Sequence, residues 1–270
     1  MRGNRITDVK IVIKGAGEMA SGIAHRLYMA NFKKIIMTEI ERPISVRRFV
    51  AFSEAVYEKT WTVEGVTGEL FTSLDEVEGI WARGSIGVIV DPNWSIIKVF
   101  KPYIVIDAIM AKKNLGTKKD EAPIVIGVGP GFTAPDNCHV VVESNRGHNL
   151  GRVFYQGSAE AHTGVPGPVM GLTTERVLRS PHAGMVKHVM KLGDEAKKGD
   201  IVMYINDTPV TAPIDGILRG LIREIYVTDN EKIGDIDPRG KKEYCFTISE
   251  KARAIGGGVL EAVMHFMGNL

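Results

Sequence analysis

The chain has 270 residues, which at ~150 residues per domain allows one large domain or two ordinary ones with ample length to bury a core. Thirty-four Lys and Arg against 32 Asp and Glu give a formal charge of +2, and no basic run exceeds two residues, which argues against nucleic-acid binding. Glycine is in excess, 30 residues or about 11% against a usual ~7%; because these fall between apolar runs, they exclude a disordered tail, a coiled coil and a collagen.

From the N-terminus, charges at Arg2, Arg5, Asp8, Lys10 and Lys14 leave no apolar signal-peptide core. No stretch reaches the ~18–20 apolar residues of a membrane span. With only Cys138 and Cys245, these features lead us to expect a cytoplasmic protein without membrane contact. Val9–Ile13 reads as a strand running into Gly15-Ala16-Gly17-Glu18-Met19-Ala20 and then a helical stretch. Strand, glycine turn and helix form the context in which G-x-G-x-x-A binds a pyrophosphate. Gly15 makes the turn, Gly17 lets the anion approach, and the helix amides face it. A second strand, 34–38, ends on Glu39, 19 residues beyond Ala20, where the ribose-binding carboxylate is expected. Arg42 keeps NADP as open as NAD.

Phe49, Phe52 and Val56 at helical spacing read as a buried stripe, with Arg47 and Arg48 as a weaker anion contact. Further apolar strands at 85–90, 103–106 and 123–126 suit a parallel sheet covered on both faces. Asp91 and Asp107 end two of them at the edge where ligands bind; the alternative for each is to cap the next turn. A second glycine turn, Gly127 to Gly131, places Gly129 and Gly131 near the same crevice. Arg146, His148 and Arg152 follow among glycines and asparagines, as an oxyanion cradle or as a solvated loop paired with Glu143. Scattered histidines and one thiol, Cys138, beside His139 indicate no metal centre.

Arg179–Val186 and Thr211–Leu218 match at an offset of 32, and Lys198–Ile201 and Ile233–Ile236 at 35. A hairpin used twice resembles the barrel-sandwich hybrid of biotinyl and lipoyl carriers. The segment Tyr204–Val210, where those carriers hold a modified lysine, has none. The tail reads as a helix around Gly256, Gly257 and Gly258. The fold expected is therefore α/β. It has a Rossmann-like doubly wound parallel sheet (1–170), a small all-β barrel-sandwich-hybrid module (171–242) and a C-terminal helical segment (243–270) packing back on the first domain.

The runs Lys14–Gly22, Arg47–Tyr57 with Val63-Glu-Gly65, Arg146–Arg152, Thr211–Gly216 and Lys232–Arg239 together resemble one group along nearly the whole chain. It is the YqeB family of accessory proteins of the selenium-dependent molybdenum hydroxylase system, related to the XdhC/CoxI maturation factors. The resemblance implies an accessory factor in molybdenum hydroxylase maturation, holding a nucleotide, a dinucleotide or a pterin such as molybdopterin at the glycine turn. The hydroxylase or its maturation machinery would be the partner, and a homo-oligomer stays open. The family supplies no catalytic residues to carry over. An NAD(P)-dependent oxidoreductase and a non-catalytic binding protein are the alternatives.

Overall fold

The computed structural model of the chain describes residues 6–268, which divide into two units. The first takes 6–43, 50–162 and 248–268, and the second takes 44–49 and 163–247.

The first unit carries β1 (Ile11–Lys14), α1 (Glu18–Met29), β2 (Ile35–Glu39), α2 (Ala55–Glu58), β3 (Thr60–Val63), β4 (Val66–Leu70), α3 (Val77–Ala82) and β5 (Ile86–Val90). Then come α4 (Ile96–Phe100), β6 (Ile104–Asp107), β7 (Ile124–Val128), β8 (Thr133–Ala134), β9 (Val140–Val142), β10 (Val153–Phe154) and β11 (Gly157–Ser158). Nine strands form one sheet in the order β10-β9-β7-β6-β1-β2-β5-β4-β3. Ile11, Ile13, Ile104 and Ile106 point to the face covered by α1 and the C-terminal helix; Val12, Val105 and Val125 point to the other, because successive side chains alternate.

The C-terminal helix, α5 in this unit although last in the chain (Glu250–Met267), opens on the Ser249 hydroxyl, which accepts from the Ala252 amide. It lies close against α1, where a Cβ on Gly22 would come within 2.7 Å of the Ala252 Cβ, and close against the segment before β10, where one on Gly258 would run into the Gly151 carbonyl oxygen. A Cβ on Gly257 would meet nothing. Gly257→Ala is therefore expected to raise stability by up to ~1 kcal/mol through helix propensity. Gly258→Ala is expected to lower it by about 1–3 kcal/mol through overpacking. Urea unfolding of the two variants checks the opposite signs.

The doubly wound parallel sheet expected from the sequence is not what forms. The sheet is mixed: β3 pairs antiparallel with β4, and β10 with β9, at its two edges. The first of these follows from Glu64 and Gly65, both left-handed at φ 44° and 82°, the two-residue turn that suits a hairpin. Helices are also few. α3 and α4 have six and five residues, and a loop in place of a helix joins β6 to β7. On that sheet face Lys14 and Asp107 are buried charged side chains bridged by the Thr117 hydroxyl, where a crossover helix would need an apolar floor. The Phe49–Val56 stripe is not one continuous helix but two 3-10 turns, Arg48–Val50 and Phe52–Glu54, leading into α2. Phe52 is buried in the first unit, while Phe49 is half-buried against the core of the second.

The second unit contains β12 (Val177–Arg179), β13 (Gly184–His188), β14 (Glu195–Ala196), β15 (Ile201–Ile205), β16 (Thr208–Thr211), β17 (Gly216–Leu221), β18 (Tyr226–Val227) and β19 (Lys232–Asp237). These make two four-stranded antiparallel sheets, β12-β19-β17-β14 and β16-β15-β13-β18, in place of the expected barrel-sandwich hybrid. The two Gly-Asp copies take different roles. Gly199 lies in a turn, whereas Gly234 and Asp235 lie inside β19. Asp235 is 4% exposed and bound to cations, which a turn at the surface would not provide.

Candidate functional site

At the carboxyl edge of the sheet, β1 passes into Gly15, whose φ of +90° makes the turn. A Cβ there would press on Ile109 backbone at 3.1 Å. The Gly15 amide donates to the Thr38 carbonyl at 2.9 Å, which ties the turn to β2. The Ala16 carbonyl accepts from the Ser53 amide at 2.8 Å and the Ser21 hydroxyl at 3.0 Å. Gly17 is the N-cap of α1 and offers no side-chain cap, leaving the first helical amides to whatever lies in front of them. Glu18 opens the helix, and Met19 packs against the core.

Glu39 ends β2 beside this turn. Its Oε2 accepts from the Ala16 amide at 3.0 Å and its Oε1 from the Ile40 amide at 2.8 Å. Burial pushes its pKa up, and the two amides pull it part of the way back. Each carboxylate oxygen keeps a lone pair for a further donor. Gly15, Ala16, Gly17, Glu18 and Glu39 are thus brought together.

Asp91 and Asp107 stand at the same edge, Asp91 with its amide on the Glu39 carbonyl at 2.9 Å and Asp107 paired in register with Lys14, but their carboxylates are engaged by the protein itself. Asp91 caps α4, its Oδ2 accepting from the Ile96 amide at 2.8 Å. The Asp107 carboxylate accepts from the Ile109 amide at 3.2 Å and the Thr117 hydroxyl at 2.6 Å. A Cβ on Gly131 would run into the Asn114 nitrogen, and one on Gly129 into the Ser144 hydroxyl; the second glycine turn packs against the β6–β7 loop and the start of the 144 segment. Arg146 pairs with Glu250 at 2.6 Å. Arg152 is exposed, 5.1 Å over the Phe154 ring, and His148 is exposed. These three form no common cradle. Glu143 instead accepts from the Ser144, Asn145 and Glu160 amides. In the second unit Arg47 donates to the Tyr244 and Thr247 carbonyls and Arg48 to the Leu221 carbonyl. Burial pushes the Cys138 thiol up to about 11, so it is no thiolate at neutral pH.

Lys14 was not singled out by sequence reasoning. Its side chain is fully buried. Nζ donates to Thr117 Oγ1 at 2.7 Å and pairs with Glu121 at 2.7 Å, and it sits 4.1 Å from the Trp94 ring centroid. Burial pushes its pKa down, against the pull of Glu121 and Asp107. The one signal was a lysine ending an apolar strand. Among the described residues, no three His, Cys, Asp or Glu side chains gather as a metal set, and no helix is long and apolar enough to cross a membrane.

No protein-family model matches the chain. A curated relative is 52% identical over 258 residues, which make up 95% of this chain and 48% of the relative. That relative is YqeB. It is described as an uncharacterized protein of Escherichia coli (strain K12), and the resemblance to YqeB drawn from the motifs stands. The chain spans about half the length of YqeB. Among solved structures, an aspartoacylase family protein of Mesorhizobium loti matches at 11% identity and a TM-score of 0.26, over 85% of each chain. The ectoine utilization protein EutE (DoeB) of Ruegeria pomeroyi matches at 7% and 0.24, over 85% of this chain and 86% of its own. At these values neither assigns a fold or a chemistry to this chain.

Proposed function

We propose that the chain binds a nucleotide with a free ribose 2′-hydroxyl, NAD before NADP, at Gly15–Gly17 and Glu39. In this reading it serves as an accessory factor in the maturation of a selenium-dependent molybdenum hydroxylase. The observation that carries the first part is the 3.0 Å hydrogen bond from the Ala16 amide to Glu39. It fixes an acceptor-only group beside the uncapped N-terminus of α1. A carboxylate held there accepts from ribose hydroxyls and repels a 2′-phosphate, while the helix amides take the pyrophosphate. The second part is supported by the order of motifs shared with the family and by the likeness to YqeB. A pterin such as molybdopterin carries the same phosphate chemistry and is the other ligand class for this turn.

Calorimetric titration is expected to show NAD binding in the micromolar range and NADP at least about tenfold weaker. Glu39→Ala is expected to cost NAD about tenfold or more, as befits lost hydrogen bonds to a charged acceptor. No saturable binding of either dinucleotide would overturn the NAD assignment. The accessory role is read separately, by purifying the chain from cells that express the whole hydroxylase system. Near-stoichiometric pterin or hydroxylase subunit supports it, and the lack of both sinks it.

A further inference from the structure

The first unit has a concavity at the opposite edge of its sheet from the glycine turn. Lys119 lies shortly before β7, and His139 immediately precedes β9, so both stand at the amino ends of parallel strands. With Pro135, Tyr155, His265 and Phe266 they line a cavity of about 490 Å³. Its walls are aromatic. Tyr155 and His265 have ring centroids 4.4 Å apart, and Phe266 stands edge-on to His139 at 6.2 Å and to His265 at 5.3 Å.

Two polar groups of this wall, on His139 and Lys119, are donors. His139 Nδ1 accepts from the Val125 amide at 2.9 Å, so the ring is neutral with its proton on Nε2. Burial, then Lys119, also keeps its pKa low. Lys119 Nζ, held by the Pro135 carbonyl at 3.0 Å, is the ammonium of the wall, and none of the lining residues is acidic. Glu261 lies near Tyr155 and, after burial, raises its phenol, but does not line the cavity. The carbonyl end of α5 contributes only about half a negative charge, and the Gly268 amide already takes the Met264 carbonyl at 2.9 Å. A full ammonium at the wall outweighs it.

We propose that this cavity binds a small planar aromatic acid, with its ring among Tyr155, His265 and Phe266 and its carboxylate toward Lys119 and His139 Nε2–H. This is independent of the nucleotide reading. The test titrates the full chain with 1-naphthoate, 1-naphthylmethanol and 1-naphthylmethylammonium by calorimetry. Naphthoate is expected to bind saturably, and the alcohol and the ammonium at least about tenfold more weakly. Lys119→Met is expected to erase that advantage, weakening naphthoate far more than the alcohol, with the unfolding midpoint unchanged. The proposal is overturned if naphthoate shows no saturation into the millimolar range. Equal or tighter binding of the alcohol or the ammonium, or naphthoate binding that survives Lys119→Met, overturns it too.

Discussion

Lys14→Met is expected to cost about 3–5 kcal/mol of stability, the range for removing one partner of a buried ion pair. The lysine is fully buried between Glu121, Thr117, Asp107 and the Trp94 ring. Methionine fills nearly the same space but leaves Asp107, 3% exposed, without its cation. Burial already pushes the Asp107 pKa up, with the Thr117 hydroxyl, the Ile109 amide and Lys14 opposing it, so losing Lys14 drives it further in that direction. Adding Asp107→Asn to Lys14→Met should therefore restore part of the loss. Glu121, about a fifth exposed on its side chain, can turn to water and contributes less. Urea unfolding of the single and double variants measures this as a cycle. A loss below about 1 kcal/mol, or a double variant no better than the single, would mean that the cluster is not what holds the β6–β7 loop to the sheet.

That cluster also marks where the sequence stops being readable. The position of Ile11–Lys14, the turn at Gly15–Gly17 and the carboxylate at Glu39 follow from local signals: a β-branched run, two glycines at fixed spacing, and an acid at the end of the next strand. The direction in which edge strands pair does not follow from apolar runs, which look alike in parallel and antiparallel neighbours. Glu64-Gly65 between two short strands was the local clue to an antiparallel edge, and a residue before glycine is a weak clue unless both can take positive φ. Lys14 meets Glu121 across 107 positions, and no periodicity reports such a partner. Asp91, Arg146 and Arg152 show the converse. Residue types suited to ligands sit at suitable strand ends or loops, yet their side chains close a helix, pair with α5 or lie over a ring. The repeated Gly-Asp motif misleads for a similar reason, since three of the four cations around Asp235, Arg219, Arg47 and Arg176, come from distant segments.

Those cations give the second large effect. Asp235→Asn is expected to destabilise the second unit by about 3–5 kcal/mol at neutral pH, and the difference should shrink in acid. Asp235 Oδ2 lies 3.1 Å from Lys232 Nζ and 3.5 Å from Arg176 Nη1. Arg176, Arg219 and Arg47 are 7%, 8% and 4% exposed. Burial alone would raise the Asp235 pKa, but Lys232, Arg219, Arg47 and Arg176 together outweigh it and hold the carboxylate below its ordinary range. Asp237 behaves alike, with Arg239 Nη2 at 2.6 Å and Arg219 Nε at 3.5 Å. A carboxylate with a depressed folded pKa contributes stability above its unfolded pKa of about 3.9 and loses it as pH falls through the folded value. The wild-type protein should therefore lose stability below about pH 4 faster than Asp235→Asn, which has no proton to take up there. Asparagine keeps the shape and leaves the arginines without their counter-charge, so a loss confined to neutral pH isolates the electrostatic part. Unfolding curves at pH 7 and in steps below pH 4 measure both quantities. Parallel pH profiles for the two proteins would show that packing, and not the buried charge, sets the stability of this unit.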